Sequence, residues 1–281
     1  MGELADRMKL ELELRGRAKN TVDPYLRYAR EFTRFHRRSP AEMGEIEVRA
    51  WLGHLMKEKH AEPDLLRGHI AAIKFLYAVV LKRPDVVDWI PWPRKRKQLP
   101  SILSQAEIVT LLDNAVSIRM RALIMAGYGS GLRVSEARSL RIEDIDSARG
   151  VLFIHATKGR KDRIAPLPPR LLETLRAWWR LARPKGPWLF PGRPATRPIT
   201  RQAVYEQFNA SLQAAGIRRK VTFHSLRHAF ATHLLERGTD LLVIQELLGH
   251  AQLHSTMTYL RVRTDHLLAT KSPLESLPAL E

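Results

Sequence analysis

One stretch, residues 222–259, reads TFHSLRHAFATHLLERGTDLLVIQELLGHAQLHSTMTY. Four polar side chains stand out in this largely apolar, helix-patterned run: His224, Arg227, His250 and Tyr259. The apolar residues between them suffice to bury at least two helices. A polar or titratable group in a packed region is unfavourable unless it finds a partner. Two interpretations follow: the histidines are satisfied core residues and Tyr259 is an amphipathic surface ring, or the four groups converge on one anionic substrate.

The composition indicates a soluble, strongly basic protein. Its 281 residues are enough for two medium domains. There are 47 Lys and Arg against 29 Asp and Glu, a net charge of +18, and such an excess attracts polyanions, of which nucleic acid is the commonest. The chain has no cysteine, which excludes disulfides, thiolate zinc sites and cysteine nucleophiles. With no apolar leader and no long apolar window, we expect a cytoplasmic protein without a membrane segment.

The first part of the chain shows helical periodicity and no strand signal, which predicts a small all-α domain over residues 1–92. Thr21 is the expected N-cap of its second helix, with Pro24 in the first turn. The other predicted helices are 1–16, 45–59 and 63–82. Residues 93–100 form a proline-bracketed linker that contains the basic run Arg94, Lys95, Arg96 and Lys97.

Residues 101–281 are predicted to form a second domain with a few strands. Ser104 and Glu107 form a capping box, and residues 127–131 are a glycine-rich turn that launches a helix carrying Arg133 and Glu136. Two strands, 151–155 and 162–167, flank a glycine-containing hairpin turn. The predicted helices are 120–126, 169–181 and 200–215. The predicted fold class is therefore mainly α with a small antiparallel β-sheet in the C-terminal domain.

Charge is spread over both predicted domains. Residues 1–100 contain 21 basic and 14 acidic side chains, and the remainder contains 26 and 15. A polyanion should therefore contact both domains and the linker. This favours a two-domain clamp that closes around a DNA duplex.

A metal site is a weaker interpretation of the same histidines. His224 and His228 have the i, i+4 spacing of a helical zinc site, but Ser225 stands where the catalytic Glu would follow, and no carboxylate nearby is an obvious third ligand. We expect no metal. A metal-dependent nuclease that uses His224, His228 and His233 is kept as a rival.

Several motifs, in this order along the chain, resemble the tyrosine recombinase (phage integrase) family, most closely its Xer-like members. Each motif alone is weakly specific, whereas five in register are strongly so. They are Gly131-Leu132-Arg133-Val134-Ser135-Glu136, Thr157-Lys158-Gly159-Arg160-Lys161-Asp162-Arg163, His224-Ser225-Leu226-Arg227-His228, Leu247-Leu248-Gly249-His250 and Tyr259. With Thr21 and Tyr25 in the first domain and residues 99–104 at the entry to the second, the resemblance covers nearly the whole chain.

The resemblance implies a catalytic role for six of these residues. Tyr259 would attack the scissile phosphate, and Arg133 and Arg227 would clamp its non-bridging oxygens. Lys158 would be the general acid to the 5′ oxygen, and His224 a general acid or base near the tyrosine. His250 would donate to the phosphate or hold the tyrosine. Glu136 would support the site, although a simple ion pair with a neighbouring arginine explains it equally well.

The resemblance also implies the partners and the domain roles. Residues 1–92 would be a SAM-like core-binding domain and residues 101–281 the catalytic domain. The expected substrate is double-stranded DNA with specific recombination sites, cleaved and rejoined through a 3′-phosphotyrosyl intermediate and a four-way junction. The active form would be a homotetramer on DNA, a monomer or weak oligomer when free, that needs no ATP, metal or other cofactor and associates with the nucleoid. Further DNA contacts are assigned to Arg94, Lys95, Arg96, Lys97, Arg30, Arg34 and Lys74.

Three questions stay open from the sequence. A helical protein that binds DNA without cutting it would have the same charge, and a type IB topoisomerase would share the same chemistry. The tail beyond Tyr259, with Leu267 and Leu268, could pack on a neighbouring subunit or fold back on its own core.

Overall fold

The chain divides into two compact units, 1–98 and 99–281. The computed structural model describes residues 2–93, 101–155 and 162–249. Within these ranges the protein is mainly helical with one small antiparallel sheet, which confirms the predicted fold class. No helix in the described ranges is long and apolar enough to cross a bilayer.

The first unit consists of four α-helices. Their bounds are α1 (Gly2–Leu14), α2 (Lys19–His36), α3 (Glu45–Lys57) and α4 (Pro63–Phe75), with short 3-10 turns at Pro40–Glu42 and Pro84–Val86. The amphipathic spacing of their apolar residues buries two neighbouring clusters, one around Phe32 and Trp51 and the other around Met8 and Leu12.

Two details of this unit differ from the predictions. The N-cap of α2 is Ala18, in an extended conformation, and not Thr21, so Pro24 lies inside the helix beyond its first turn. At the predicted end of the fourth helix, α4 stops at Phe75 and continues as a π-helical turn, Leu76–Val80. Leu76 packs in one apolar cluster and Tyr77 in the other, as Ala72 and Ile73 do one turn earlier in α4.

In its described residues, the second unit surrounds one large apolar cluster and a smaller one between the last two helices. Its helices are α5 (Gln105–Asp113), α6 (Ile118–Gly129), α7 (Val134–Arg138), α8 (Pro169–Ala182), α9 (Arg201–Ala214), α10 (Phe223–Glu236) and α11 (Leu241–Leu248). The predicted Ser104 capping box is present: Ser104 Oγ accepts from the Glu107 amide, and the Glu107 carboxylate accepts from the Ser104 amide. Both bonds satisfy amides that the first turn of α5 leaves without a helical partner.

The sheet has the order β1-β2-β3 and is antiparallel throughout. Its strands are β1 (Ile145–Asp146), β2 (Val151–Ile154) and β3 (Arg163–Pro166). In the hairpin, Val151 pairs with Pro166 and Ile154 with Arg163, so the two predicted strands are confirmed, slightly shortened. The predicted turn between them lies outside the described residues.

The glycine-rich turn is shorter than predicted, because α6 continues through Gly129. Of the predicted turn, only Ser130 and Gly131 lie beyond α6, and residues 130–133 join α6 to α7. Gly131 has φ 63°, and a Cβ there would lie 2.7 Å from Cδ1 of Phe230 on α10. Glycine is therefore required both by the backbone conformation and by the close approach of α10.

A buried histidine makes the first unit sensitive to acid. His69 is 2% exposed and packs against the rings of Tyr28 and Trp51. Its Nδ1 finds no hydrogen-bond partner within the described ranges, and its Nε2 lies 3.6 Å from Oε2 of Glu31, too far for a good hydrogen bond. Burial, together with the charge of Arg27, lowers the pKa of His69 to about 4. The folded protein therefore holds this ring neutral.

We expect replacement of His69 by leucine to flatten the loss of stability in acid. Between the folded pKa of about 4 and the ordinary value near 6.5, the unfolded chain binds a proton that the folded chain does not. Stability therefore falls as pH falls through this window. His69→Leu removes this contribution, which approaches about 1.4 kcal/mol per pH unit.

Urea unfolding at pH 7 and pH 5, followed by tryptophan fluorescence, measures the effect. His60→Asn is the matched control, because His60 is exposed and asparagine tolerates its positive φ. An equal acid-induced loss in wild type and His69→Leu would contradict the assignment.

Candidate active site

Arg227, on α10, is the largest fully buried side chain in the described ranges. Its Nη1 donates to the carbonyl of Gly131 at 2.7 Å, and its Nη2 donates to the carbonyl of Leu248. Nη1 also lies 3.9 Å from Oε2 of Glu136. A buried charge requires such partners, and here they come from the α6–α7 turn, the end of α11 and α7.

Arg133 lies at the N-cap of α7, next to that turn. Its Nη1 donates to Oε1 of Glu136 at 2.7 Å, and its backbone amide donates to Oε2 at 2.8 Å. The Arg133 side chain keeps 19% of its surface exposed, whereas that of Arg227 has none. Of the two arginines, a ligand can therefore reach only the Arg133 guanidinium directly in this conformation.

Glu136 is shared by several arginines. Burial alone would raise its pKa, but the charge of Arg163 and the hydrogen bonds from Arg133 outweigh burial, and the pKa lies below its usual range. Glu136 therefore forms the ion pair with a neighbouring arginine that the sequence offered as one interpretation, and its supporting role in catalysis stays a prediction.

Arg163 belongs to this cluster but received no role from the sequence. Its Nη2 donates to Oε2 of Glu136 at 2.7 Å, and its side chain is only 10% exposed. A usable signal was present in the strand alternation, because Arg163 shares a strand face with Ala165, which is fully buried. An arginine on the inner face of a strand predicts a buried acidic partner.

His224 and His228 lie one turn apart at the start of α10, with ring centroids 4.5 Å apart and planes at 77°. Partial burial, with the charges of Arg227 and Arg133, lowers the pKa of His224, although the residue as a whole is exposed. Burial, with the charges of His224 and Arg227, lowers the pKa of His228 to about 4. Both rings are therefore neutral near pH 7, and His224 can accept a proton there.

His233, the third histidine of the rival metal site, has a different partner. Its Nδ1 lies 3.0 Å from the hydroxyl of Tyr128, on α6, and the ring is 7% exposed. Within residues 2–93, 101–155 and 162–249, no three His, Cys, Asp or Glu side chains are grouped as metal ligands would be. The described residues therefore do not show the grouping of His224, His228 and His233 that the rival interpretation requires.

The remaining predicted residues fall into two groups. Lys158, His250 and Tyr259 lie outside the described residues, as do Arg94, Lys95, Arg96 and Lys97. Gly249 ends α11 with φ 59°, as predicted from the sequence Leu248-Gly249-His250. In the first unit, Arg30 and Arg34 are exposed on α2, and Nζ of Lys74 lies 5.6 Å from the ring centroid of Trp92.

Comparison with known proteins gives a consistent result over nearly the whole chain. Residues 95–266 match the phage integrase family, and residues 4–85 match the phage integrase N-terminal SAM-like domain. A putative integrase/recombinase, y4qK, of Sinorhizobium fredii is 41% identical over 99% of this chain and 90% of its own length. Tyrosine recombinase XerA of Pyrococcus furiosus is 34% identical over 94% of this chain and 91% of its own.

A solved structure shares the fold. The crystal structure of XerH site-specific recombinase bound to difH substrate, a pre-cleavage complex, has 25% sequence identity and a TM-score of 0.67. The match covers 88% of this chain and 78% of that one.

We expect Arg227→Lys to destabilise the second unit even though it keeps the charge. One ammonium cannot span both carbonyls that the guanidinium bonds, so a buried carbonyl loses its donor, at about 1–3 kcal/mol. The free energy of unfolding in urea measures this loss. Arg149→Lys, at an exposed position, should change it by less than about 0.5 kcal/mol. Equal stabilities of the two variants would show that the carbonyl bonds of Arg227 contribute little.

Proposed function

The chain belongs to the phage integrase family of tyrosine recombinases, and on that premise we propose that it cleaves and rejoins DNA at specific sites through a 3′-phosphotyrosyl bond to Tyr259. It is a tyrosine-type site-specific recombinase of the Xer-like kind. The observation that carries the finer proposal is the arginine cluster around Glu136, next to a neutral His224. Such a preorganised positive site suits a phosphate that gains negative charge in the transition state.

In the proposed reaction one phosphorus–oxygen bond forms as another breaks, and two protons are transferred. The Tyr259 oxygen forms a bond to phosphorus as the bond to the 5′ oxygen breaks, which leaves a 3′-phosphotyrosyl end and a free 5′ hydroxyl. His224 takes the tyrosine proton, because its lowered pKa keeps it neutral in the free protein. Lys158 gives a proton to the 5′ oxygen. Religation runs the same steps in reverse, so the cycle consumes no ATP.

Arg133 and Arg227 would bind the non-bridging oxygens, and His250 would donate to the same phosphate or hold the tyrosine. The two arginines start from different positions. Arg133 is partly exposed, whereas Arg227 has no exposed surface in the free chain. Arg227 can meet a phosphate only after the residues covering it are drawn aside, so the proposal includes an opening of the site when DNA binds. Glu136 keeps both arginines oriented throughout.

The two domains would divide the work of binding DNA. In the proposal, residues 1–92 and the linker 93–100 hold the duplex through basic side chains, with Arg30, Arg34 and Lys74 in the first domain. Residues 101–281 carry the chemistry, and the two domains clamp the DNA. Since DNA is the substrate, the protein would work in the cytoplasm, at the nucleoid.

Strand exchange sets the number of subunits. Two duplexes, each cut on both strands, need four tyrosines, and each subunit supplies one. A homotetramer that exchanges one pair of strands at a time passes through a four-way junction. The XerH comparison structure, described as bound to its difH substrate before cleavage, supports recognition of a defined site.

We expect Tyr259→Phe to abolish covalent trapping while leaving DNA binding intact, because only the nucleophilic oxygen is removed. On a suicide substrate nicked near the scissile phosphate, the wild-type chain should form a protein–DNA adduct that survives denaturing electrophoresis. The phenylalanine variant should bind the same DNA with a similar dissociation constant and leave no adduct. An adduct with the variant would remove Tyr259 as the nucleophile. If the wild-type adduct still forms in excess chelator, a metal-dependent nuclease is excluded, because chelator would stop cleavage by such an enzyme.

A two-site assay distinguishes recombination from the relaxation of a type IB topoisomerase. The target site is first identified from the DNA that is recovered covalently attached to Tyr259. On a plasmid that carries two copies of this site, we expect excision or inversion of the segment between them. A plasmid in which one site is scrambled is the control, and its segment should stay in place. Relaxation of supercoils without exchange between matched sites would favour the topoisomerase.

A further inference from the structure

Arg163 connects three elements of the second unit, β3, α7 and α11, which are far apart in the sequence. It is the first residue of β3 and is held in the ladder opposite Ile154. Its guanidinium bonds Glu136 on α7, and its side chain lies against Gly249 at the end of α11. In sequence, Arg163 follows Lys158 by five residues, and Gly249 directly precedes His250.

The contact with Gly249 is close. A Cβ at Gly249 would lie 2.7 Å from Cδ of Arg163 and 3.0 Å from its Nε, nearer than atoms pack. The glycine therefore provides the space that the arginine stem occupies, in addition to the positive φ that ends α11. Because the guanidinium is tied to Glu136, the stem cannot move away without breaking that ion pair.

Arg163 shares the carboxylate of Glu136 with Arg133. Oε1 accepts from Arg133 Nη1 at 2.7 Å, whereas Oε2 accepts from the Arg133 amide at 2.8 Å and from Arg163 Nη2 at 2.7 Å, and lies 3.9 Å from Arg227 Nη1. With Arg163 bonded to Oε2, Arg227 stays on the carbonyls of Gly131 and Leu248. Without Arg163, the cluster would lose one of its three positive charges, and the Glu136 carboxylate would attract Arg227 away from the two carbonyls.

We propose that Arg163 is a positioning residue of the recombinase: through Glu136 it sets the orientation of the Arg133 and Arg227 guanidiniums, and against Gly249 it fixes the end of α11, where the Leu248 carbonyl holds Arg227. This inference rests on the proposed function. Arg163 makes no contact with the phosphate in this scheme, so its removal should slow strand cleavage far more than it weakens DNA binding.

The experiment compares Arg163→Met with Arg163→Lys and Arg138→Met. Arg138 is the matched control, because it is a partly buried arginine on α7 whose Nη1 bonds a carbonyl, that of Ile199, in the same unit. For each variant, the first-turnover rate of adduct formation on the suicide substrate is measured from pH 5 to pH 9, together with the DNA dissociation constant.

We expect Arg163→Met to slow adduct formation by on the order of 100-fold, as small displacements of reacting groups do. The dissociation constant should change by less than about threefold, since no phosphate contact is lost. The pH profile separates positioning from a general loss of structure. Without Arg163 the pKa of the buried Glu136 carboxyl rises, so the acid limb of the rate profile should move to higher pH. Arg163→Lys keeps the charge and should keep the acid limb near that of wild type at an intermediate rate.

The control and the double variant test the route of the effect. Arg138→Met should leave the acid limb where it is. In a Glu136→Gln background, Arg163→Met should slow adduct formation by a much smaller factor than it does in the wild-type background, because the two residues act together. Two outcomes would overturn this inference while leaving the proposed function standing. One is an acid limb of the Arg163→Met rate profile at the same pH as in wild type, and the other is an equal loss of rate from Arg163→Met with and without the Glu136 carboxylate. A wild-type chain that forms no adduct would overturn the proposed function and this role together.

Discussion

The arrangement of the second unit depends on one buried guanidinium. Arg227 has no exposed surface, so its charge is tolerable only because two carbonyls and a nearby carboxylate satisfy it. These groups come from the α6–α7 turn, the end of α11 and α7. Because a misplaced partner would leave a charge unsatisfied in the interior, the requirement fixes the relative positions of these elements more sharply than apolar packing alone can.

Charge balance explains why the cluster suits an anion. Arg133, Arg163 and Arg227 surround Glu136, and the carboxylate remains ionised because their charges and hydrogen bonds outweigh its burial. The cluster thus keeps an excess of positive charge, which a phosphate can complete. Burial, together with the charges of Arg227 and Arg133, lowers the pKa of His224 and leaves a neutral ring beside the arginines. The same cluster therefore holds the arginines in place and helps to keep His224 neutral, as the proposed mechanism requires.

Several features were predictable from the sequence because their causes are local. The Ser104 capping box, the alternation of the hairpin strands and the glycine at the end of α11 all follow from bonding within a few residues. Predictions failed in details of helix geometry that no local pattern marks: the helix predicted over 63–82 becomes a π-helical turn after Phe75, and the N-cap of α2 is Ala18 and not Thr21. Strand alternation places Arg163 on the inner face of β3, but its partner, Glu136, is 27 residues away and is not marked by any local pattern.

The order of motifs along the chain was enough to indicate the family, the helical fold with a small sheet, and which residue types serve a phosphate. Tertiary structure alone decided how these residues are arranged. It buried Arg227 completely while leaving Arg133 partly exposed, and it made Glu136 the shared partner of arginines from different elements. The physical reason is that burial and ion pairing depend on which surfaces meet, and Gly131 and Gly249 allow those surfaces to approach closely enough.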